Sequence, residues 1–352
     1  MSDVQSSLNQ MARGAGILLI GSVLAKVINY VYRSYLARNL SVSEYGLLEL
    51  CIMIITISAA LATLGMEPGL YRYVPYYKGL ENKKKIEGAI YFSAKVTLIA
   101  SIIISVIIYL SSNNIAKLFE NSAQMAILLK IFSISIPFLA VGNRIFLTCL
   151  LLFKNIKEYS FIFNIMQHLS RVLFTIILII AGFGLFGVSV AYSLNAIVIG
   201  MVAFYVFNSK NKIKKEEYED KKEFLKYSIP LFLVTIISYI NGWVDAFMVG
   251  YLLDNYNVGL YSAAFQLSQL LYLFPSMVLP LTMPIIGPHF ARKEYVSVDT
   301  IAKQVTKWIF AVNFFILLIL LAYPGIIIRI IFGTKYFESV TVLIILSVSF
   351  FI

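Results

Sequence analysis

Long apolar runs alternate along this chain with short polar clusters, ten runs in all. A helix of about 20 apolar residues crosses a hydrocarbon core about 30 Å thick. In lipid a chain must satisfy its own backbone hydrogen bonds, which only helices and closed barrels do. The short alternating segments of an outer-membrane barrel are absent, so the runs predict transmembrane helices. Helices are expected at about Met11–Ala37, Ser43–Met66, Ile86–Leu110, Ser122–Phe153, Tyr159–Ala181 and Phe186–Phe207. After a charged segment, SKNKIKKEEYEDKKEF, come Phe224–Leu253, Val258–Ile286 and Ile301–Tyr323. A tenth run, Val340–Ile352, has no flanking charge and is short for a span, so it reads as a helix cut off. A re-entrant or interfacial end is the alternative. The expected fold is therefore all-α and polytopic. Residues 1–208 form an N-terminal six-helix bundle, 209–223 a basic cytoplasmic linker, and 224–352 an incomplete C-terminal bundle.

Composition agrees: 60% of residues are hydrophobic and 13% charged, against roughly 25% charged in soluble domains. The net charge of +11 raises the question of nucleic acid, but the basic residues sit mostly in short connections between apolar runs, which excludes that partner. With the N-terminus inside, sixteen loop cations fall on the inner face, among them Arg72, Lys78, Lys83, Lys154, Lys157 and the lysines from Lys210 to Lys226. Four fall outside: Arg38, Lys117, Arg329 and Lys335. This positive-inside asymmetry predicts a multi-pass protein of the cytoplasmic (inner) membrane with a cytoplasmic N-terminus. The opening MSDVQSSLNQMARG does not read as a cleavable signal peptide. Cys51 and Cys149 lie in separate apolar runs near opposite faces, which argues against a disulfide, and His168 and His289 are too isolated for a metal site.

Two stretches resemble each other weakly across the linker. Tyr35 to Leu47 and Met248 to Leu260 each join two helices and close on Gly46-Leu47 and Gly259-Leu260. Six spans separate them, so they would be parallel repeats, an arrangement of transporters with the substrate path between halves. Chance similarity of apolar helices explains the match equally well.

The informative chemistry is ionisable and intramembrane: Lys26, Arg33, Glu49, Lys95, Arg144, Arg171 and Asp245. A charge at the bilayer centre costs about 2.5–3.5 kcal/mol, so five cations facing lipid would cost on the order of 10–15 kcal/mol. They must face a wet cavity, find partners or snorkel. Helical spacing groups them into stripes: Lys26, Asn29 and Arg33; Asn164, Gln167, Arg171 and Thr175; Ser238, Asn241 and Asp245; Ser262, Gln266 and Gln269. Convergence of these stripes on a hydrated interior is the expected arrangement. Plainer readings stand beside it. Arg33 is near a helix end and within snorkelling reach, as is Lys95, and Glu49 suits pairing with a loop cation. Arg144 sits towards the inner half of its helix. Lys26, Arg171 and Asp245 are deepest. Pro137, Pro230, Pro275, Pro280 and Pro284 each remove a backbone hydrogen bond and favour kinks. There is no paired-carboxylate motif, HExxH, phosphate-binding glycine loop or large outer loop to house a catalytic centre.

Several segments carry a family resemblance: LARNLSVSEYGLLEL (Leu36 to Leu50), GLYRYVPYYKG (Gly69 to Gly79), KYSIPLFL (Lys226 to Leu233), VDAFMVGYLL (Val244 to Leu253), VGLYSAAFQLS (Val258 to Ser268) and IIRIIFGTKYFES (Ile327 to Ser339). In their order over nearly the whole chain they resemble the oligosaccharide flippases of polysaccharide biosynthesis. Those belong to the multidrug/oligosaccharidyl-lipid/polysaccharide (MOP) flippase superfamily. The resemblance implies a MATE-like fold of two six-helix bundles about a central cavity, here truncated in the second. It implies alternating access, with an anionic lipid-diphosphate-linked glycan as cargo, and the lipid bilayer and other polysaccharide-assembly membrane proteins as partners. Lys26, Arg33, Arg144 and Arg171 would then serve the diphosphate, Arg as a fork and Lys as a point charge. Asn29, Asn164, Gln167, Asn241 and Gln266 would line the cavity. Asp245 would pair with a cation or bind a coupling Na⁺ or H⁺; no other cofactor is expected. A cation-coupled small-molecule exporter is the alternative, though it would want more acidic residues than Asp245 alone. A membrane polymerase or ligase is a third class, disfavoured by the short outer loops.

Overall fold

The computed structural model describes residues 2–119 and 123–352, and side chains at all of these except 2–15, 280, 281, 283, 284 and 288. Ser122, the expected start of the fourth span, lies outside the described residues. Every regular element described is helical. Among the described residues, eight helices are long and apolar enough to cross a membrane, or ten when each of two bent pairs counts as one span. These ten correspond in order to the ten apolar runs.

In chain order the elements are α1 (Ser2–Asn39), α2 (Val42–Ala62), α3 (Met66–Gly79), α4 (Lys83–Ala116), α5 (Ala123–Ser133), a π-helical segment (Phe138–Phe146), α6 (Leu147–Leu152), α7 (Ile156–Ser160), a second π-helical segment (Phe161–Met166), α8 (Gln167–Ile180), α9 (Gly184–Asn211), α10 (Lys221–Leu252), α11 (Asn255–Ser268), α12 (Leu270–Ala291), α13 (Tyr295–Ala322), α14 (Pro324–Ile331), a 3₁₀ turn (Thr334–Ser339) and α15 (Val340–Phe351). By contact they form two compact units. The first holds Met1–Arg33 with Leu47–Asp254, and the second Ser34–Gly46 with Asn255–Ile352.

In the first unit, α3 is an element the apolar runs do not announce. Met66, Leu70, Tyr73, Val74 and Tyr77 are buried at helical spacing, so a segment read as an inner loop is an amphipathic helix packed on α4 and α10. Gly69 admits the Phe224 ring of α10: a Cβ there would stand 2.4 Å from it. Further along, Phe247 of α10 meets Phe119 edge-on at 5.6 Å. Chain order groups α10 with the later helices; packing groups it with the first unit.

The linker is not a merely solvated charge run. Tyr218 is buried among the rings of Tyr77, Phe92 and Phe224. Its hydroxyl is 2.9 Å from that of Tyr77, which also donates to Asp220 at 2.9 Å. Lys85 pairs with the same carboxylate at 2.7 Å. The hydrogen bond from Lys85, then that from Tyr77, holds Asp220 below the usual carboxylate range, and burial raises the Tyr218 phenol.

In the second unit, Ser41 and Glu44 form a reciprocal capping box that opens α2: Glu44 N–H donates to Ser41 Oγ at 3.2 Å and Ser41 N–H to Glu44 Oε2 at 2.8 Å. Gly46 and Gly259 are each the fifth residue of their helices, and each packs on the other helix's backbone. A Cβ on Gly46 would stand 1.9 Å from the Asn255 carbonyl, and one on Gly259 2.2 Å from that of Val42. The weakly matching segments thus meet at equivalent positions. Lys335 donates to the Arg38 and Leu40 carbonyls at 3.1 and 3.0 Å, tying down the end of α1.

Kinks were expected at five prolines; of these, Pro230 lies within the continuous helix α10. The α5 break, of 46° before Phe138, falls at Pro137 as expected. The second, of 42°, falls at Gln269 between α11 and α12, while Pro275, Pro280 and Pro284 lie within the continuous helix α12. The 3₁₀ turn also lengthens the last apolar helix, so that Thr334–Phe351 spans 18 residues.

Candidate substrate-binding site

A cavity of about 320 Å³ lies within the first unit. α3 supplies Glu67 and Tyr71, and the first π-helical segment supplies Asn143 and Arg144. Thr148 comes from α6, Tyr159 from α7, Gln167 from α8, Tyr192 from α9 and Tyr239 from α10. The irregular backbone explains part of this lining. A π turn takes one residue more than an α turn and rotates everything beyond it, and Asn143 and Arg144 lie within such a segment.

At the centre is an ion pair. Arg144 Nη1 stands 3.7 Å from Glu67 Oε2, both side chains being half-buried. Arg144 Nη2 also donates to the Tyr239 hydroxyl, and its guanidinium lies 5.0 Å from that ring's centroid. Thr148 Oγ1 donates to Glu67 Oε1 at 3.3 Å. Burial raises the Tyr71 phenol above its ordinary range, so it remains a neutral hydroxyl at physiological pH. On α8, Asn195 of α9 donates to the Gln167 carbonyl at 3.0 Å and to Ser170 Oγ at 2.7 Å, fixing the turn that presents Gln167.

The predicted residues divide between this cavity and other parts of the molecule. Arg144 and Gln167 line the cavity. Arg171, one turn beyond Gln167, lays its guanidinium 5.1 Å from the Tyr192 ring centroid and is in no ion pair among the described residues. Arg33 pairs at 2.7 Å with Glu49, whose side chain is 5% exposed. Glu49 therefore meets an intramembrane cation of α1 rather than one in a loop. Lys26 and Asn29 are half-buried on α1.

α1 runs beside the second π-helical segment and α8 in a constant register. Ser160 Oγ donates to the Ile17 carbonyl at 3.4 Å, and Tyr32 and Thr175 share a 3.2 Å hydrogen bond, both at a separation of 143 residues. This register puts Lys26 and Arg171 at nearly the same height, about 3 Å apart along the axes. Asn164 is buried and donates to Ser160 at 3.1 Å. It packs where a Cβ on Gly21 would stand 2.7 Å from it, so it serves a helix–helix contact; the π turn carries it out of phase with Gln167. Asn241 and Asp245 lie on the exposed side of α10, as Lys95 does on α4. Gln266 is buried in the second unit, with the Tyr45 hydroxyl 3.5 Å from its Oε1.

Glu67 is the site residue that charge reading passed over. The signal was present: a carboxylate just past the end of the second apolar run, at the start of the amphipathic stretch that became α3. No group of three His, Cys, Asp or Glu placed to hold a metal ion occurs among the described residues.

The chain matches the model of the polysaccharide biosynthesis protein family over residues 11–292. The chain belongs to that family. A probable low-salt glycan biosynthesis flippase of Haloferax volcanii is 21% identical, over 96% of this chain and 68% of its own length. Among solved structures, the inward-facing form of a multidrug resistance MATE family transporter of the MOP superfamily superposes with a TM-score of 0.71 at 16% identity, covering 96% of this chain and 81% of its own. A MOP superfamily transporter from Pyrococcus furiosus gives 0.67 at 16% identity, covering 97% and 79%. The fold is thus the MATE-like transporter fold, and the protein is a multi-pass membrane protein of the polysaccharide biosynthesis protein family.

Proposed function

We propose that this protein moves a lipid-diphosphate-linked oligosaccharide across the cytoplasmic (inner) membrane by alternating access, with its N-terminus in the cytoplasm. The reading is carried by the family match over residues 11–292. The excess of cations over carboxylates within the spans supports it, since an anionic cargo in a low-dielectric cavity is held by cations more strongly than in water. Charge asymmetry of the loops supports the orientation.

Among the four candidate cations, Arg33 and Arg144 are balanced by Glu49 and Glu67. Arg171 is therefore assigned the larger share of the diphosphate, with Lys26 beside it by virtue of its level on α1. Asp245, on the exposed side of α10, is assigned the coupling Na⁺ or H⁺. The bilayer and other polysaccharide-assembly membrane proteins are the expected partners.

The test is export of a lipid-linked glycan in cells lacking their own flippase, with Arg171→Glu beside the wild type. Surface glycan restored by the wild type and lost in a well-inserted variant is the expected outcome. Drug resistance without restored glycan would replace this reading with the cation-coupled small-molecule exporter.

A further inference from the structure

The cavity around Glu67 and Arg144 has the wrong charge for the part of the cargo that its arginine first suggests. Its lining carries one cation and one carboxylate, so its formal charge is zero. A diphosphate entering it would meet the Glu67 carboxylate as well as the Arg144 guanidinium. Like charges in a low-dielectric site repel as strongly as unlike charges attract.

What the cavity does offer is hydrogen bonding between flat walls. Tyr71, Tyr159, Tyr192 and Tyr239 supply rings and hydroxyls, each ring an apolar body with a polar tip. Asn143 Oδ1 and Gln167 Oε1 are buried and have no hydrogen-bond partner in the chain. A buried polar atom left unpaired costs about 1–3 kcal/mol, so a polar ligand entering this cavity meets two lining carboxamides whose hydrogen bonding the chain itself leaves incomplete. Carboxamide oxygen and nitrogen can exchange places by a flip, so each of these lining residues can offer a donor or an acceptor. The Glu67–Arg144 pair adds acceptors and donors that are held in place by Thr148 and Tyr239.

We infer that this cavity is a glycan subsite: it receives a neutral sugar ring of the cargo, with tyrosine walls against the ring faces and Asn143, Gln167 and the Glu67–Arg144 pair on its hydroxyls. A sugar ring presents apolar C–H faces and an equatorial rim of hydroxyls that both donate and accept. That is the complement of this lining, and a volume of about 320 Å³ is at the small end of ligand pockets, which run from about 300 to 1,000 Å³. The inference rests on the proposed function. It divides the cargo: sugar here, diphosphate at the level of Lys26 and Arg171.

The test separates the two parts. The full-length protein is expressed in flippase-deficient cells that make either of two glycans differing in sugar on the same lipid diphosphate, and export is compared for wild type, Gln167→Leu, Asn143→Leu and Arg171→Gln at equal membrane levels. Gln167→Leu keeps the backbone carbonyl that Asn195 uses, so the α8 turn survives. Each Leu variant is expected to change the ratio of export between the two glycans about tenfold. Arg171→Gln is expected to lower both together. In parallel, binding of sugar-free undecaprenyl diphosphate to purified protein should change less than twofold in Gln167→Leu and at least fivefold in Arg171→Gln. Equal loss of both glycans in the Leu variants together with weakened undecaprenyl diphosphate binding would make the cavity a diphosphate site and overturn the inference. An unchanged ratio with unchanged binding would overturn it as well. Export of neither glycan by the wild type would instead remove the proposed function, and the subsite with it.

Discussion

Two clusters of tyrosines in the first unit do opposite things with the same side chain. At the linker, Tyr73, Tyr77 and Tyr218 pack with Phe92 and Phe224 into a closed aromatic knot. The Tyr77 and Tyr218 hydroxyls are satisfied by each other and by Asp220, and that of Tyr73 donates to the Glu223 carbonyl at 3.3 Å. At the cavity, Tyr71, Tyr159, Tyr192 and Tyr239 stand half-buried or exposed around open space, beside two buried amide atoms with no partner in the chain. The first cluster is completed by its own chain, through a linker residue. A fully satisfied polar network rigidifies, and a partly satisfied one is costly unless something else completes it. Tyrosine content therefore says little about role; whether the hydroxyls and rings are used up internally says much.

The comparison can be broken most forcefully at Tyr218. Truncating a large buried aromatic costs about 3–5 kcal/mol, so Tyr218→Ala is expected to lower the thermal unfolding midpoint strongly and speed protease cleavage between Asn208 and Lys221. Tyr192→Ala, on the cavity wall, should cost only about 1 kcal/mol of stability yet cut glycan export by tenfold or more. Matching stability losses in the two variants would erase the distinction.

Next in size is the central ion pair. Arg144→Ala leaves the half-buried Glu67 carboxylate without its cation and is expected to cost about 1–2 kcal/mol. Arg144→Ala with Glu67→Ala should recover part of that loss. A double-mutant cycle on thermal stability is expected to return a coupling of about 0.5–1 kcal/mol, as for partly exposed pairs. Zero coupling would mean that the 3.7 Å approach does not hold the cavity together.

The smallest effect belongs to the linker carboxylate. Asp220→Asn removes a charged acceptor shared by Lys85 and Tyr77 and is expected to cost about 1 kcal/mol at pH 7. Asp220 is held below its ordinary value, chiefly by the hydrogen bond from Lys85. Its contribution is therefore fully present above the unfolded value of about 3.9 and is lost as pH falls through the lower folded value. The difference in unfolding midpoint between wild type and Asp220→Asn should stay constant from pH 7 to 5 and shrink below pH 4. A difference that shrank between pH 7 and 5 would show that another group carries the clamp.

Much of the fold was legible because lipid imposes a simple rule. Ten apolar runs became ten helical segments or bent pairs, and Pro137 marked one of the two bends. The second bend was not legible, since a proline raises the probability of a kink without fixing where the chain yields; it yielded at Gln269, ahead of Pro275. α3 was hidden because its apolar face is discontinuous in sequence and continuous only at helical period, in a stretch whose charges read as loop. Of the site, Arg144 was named by its charge within a span and Gln167 by the helical stripe it shares with Arg171. Asn164 was named by a 3.6-residue period that a π turn does not keep, and Glu67 was passed over because its partner lies 77 positions away in sequence.

What the sequence determined by itself is the solvent of this protein and the order of its apolar helices, because hydrophobic length acts locally and additively. What only the tertiary structure decided is the pairing of its charges. Whether an intramembrane arginine is held by a carboxylate, as Arg33 is by Glu49 and Arg144 by Glu67, or lies against a ring, as Arg171 does on Tyr192, depends on which helices pack together. It depends also on the phase in which each helix arrives, and two π-helical segments set that phase here.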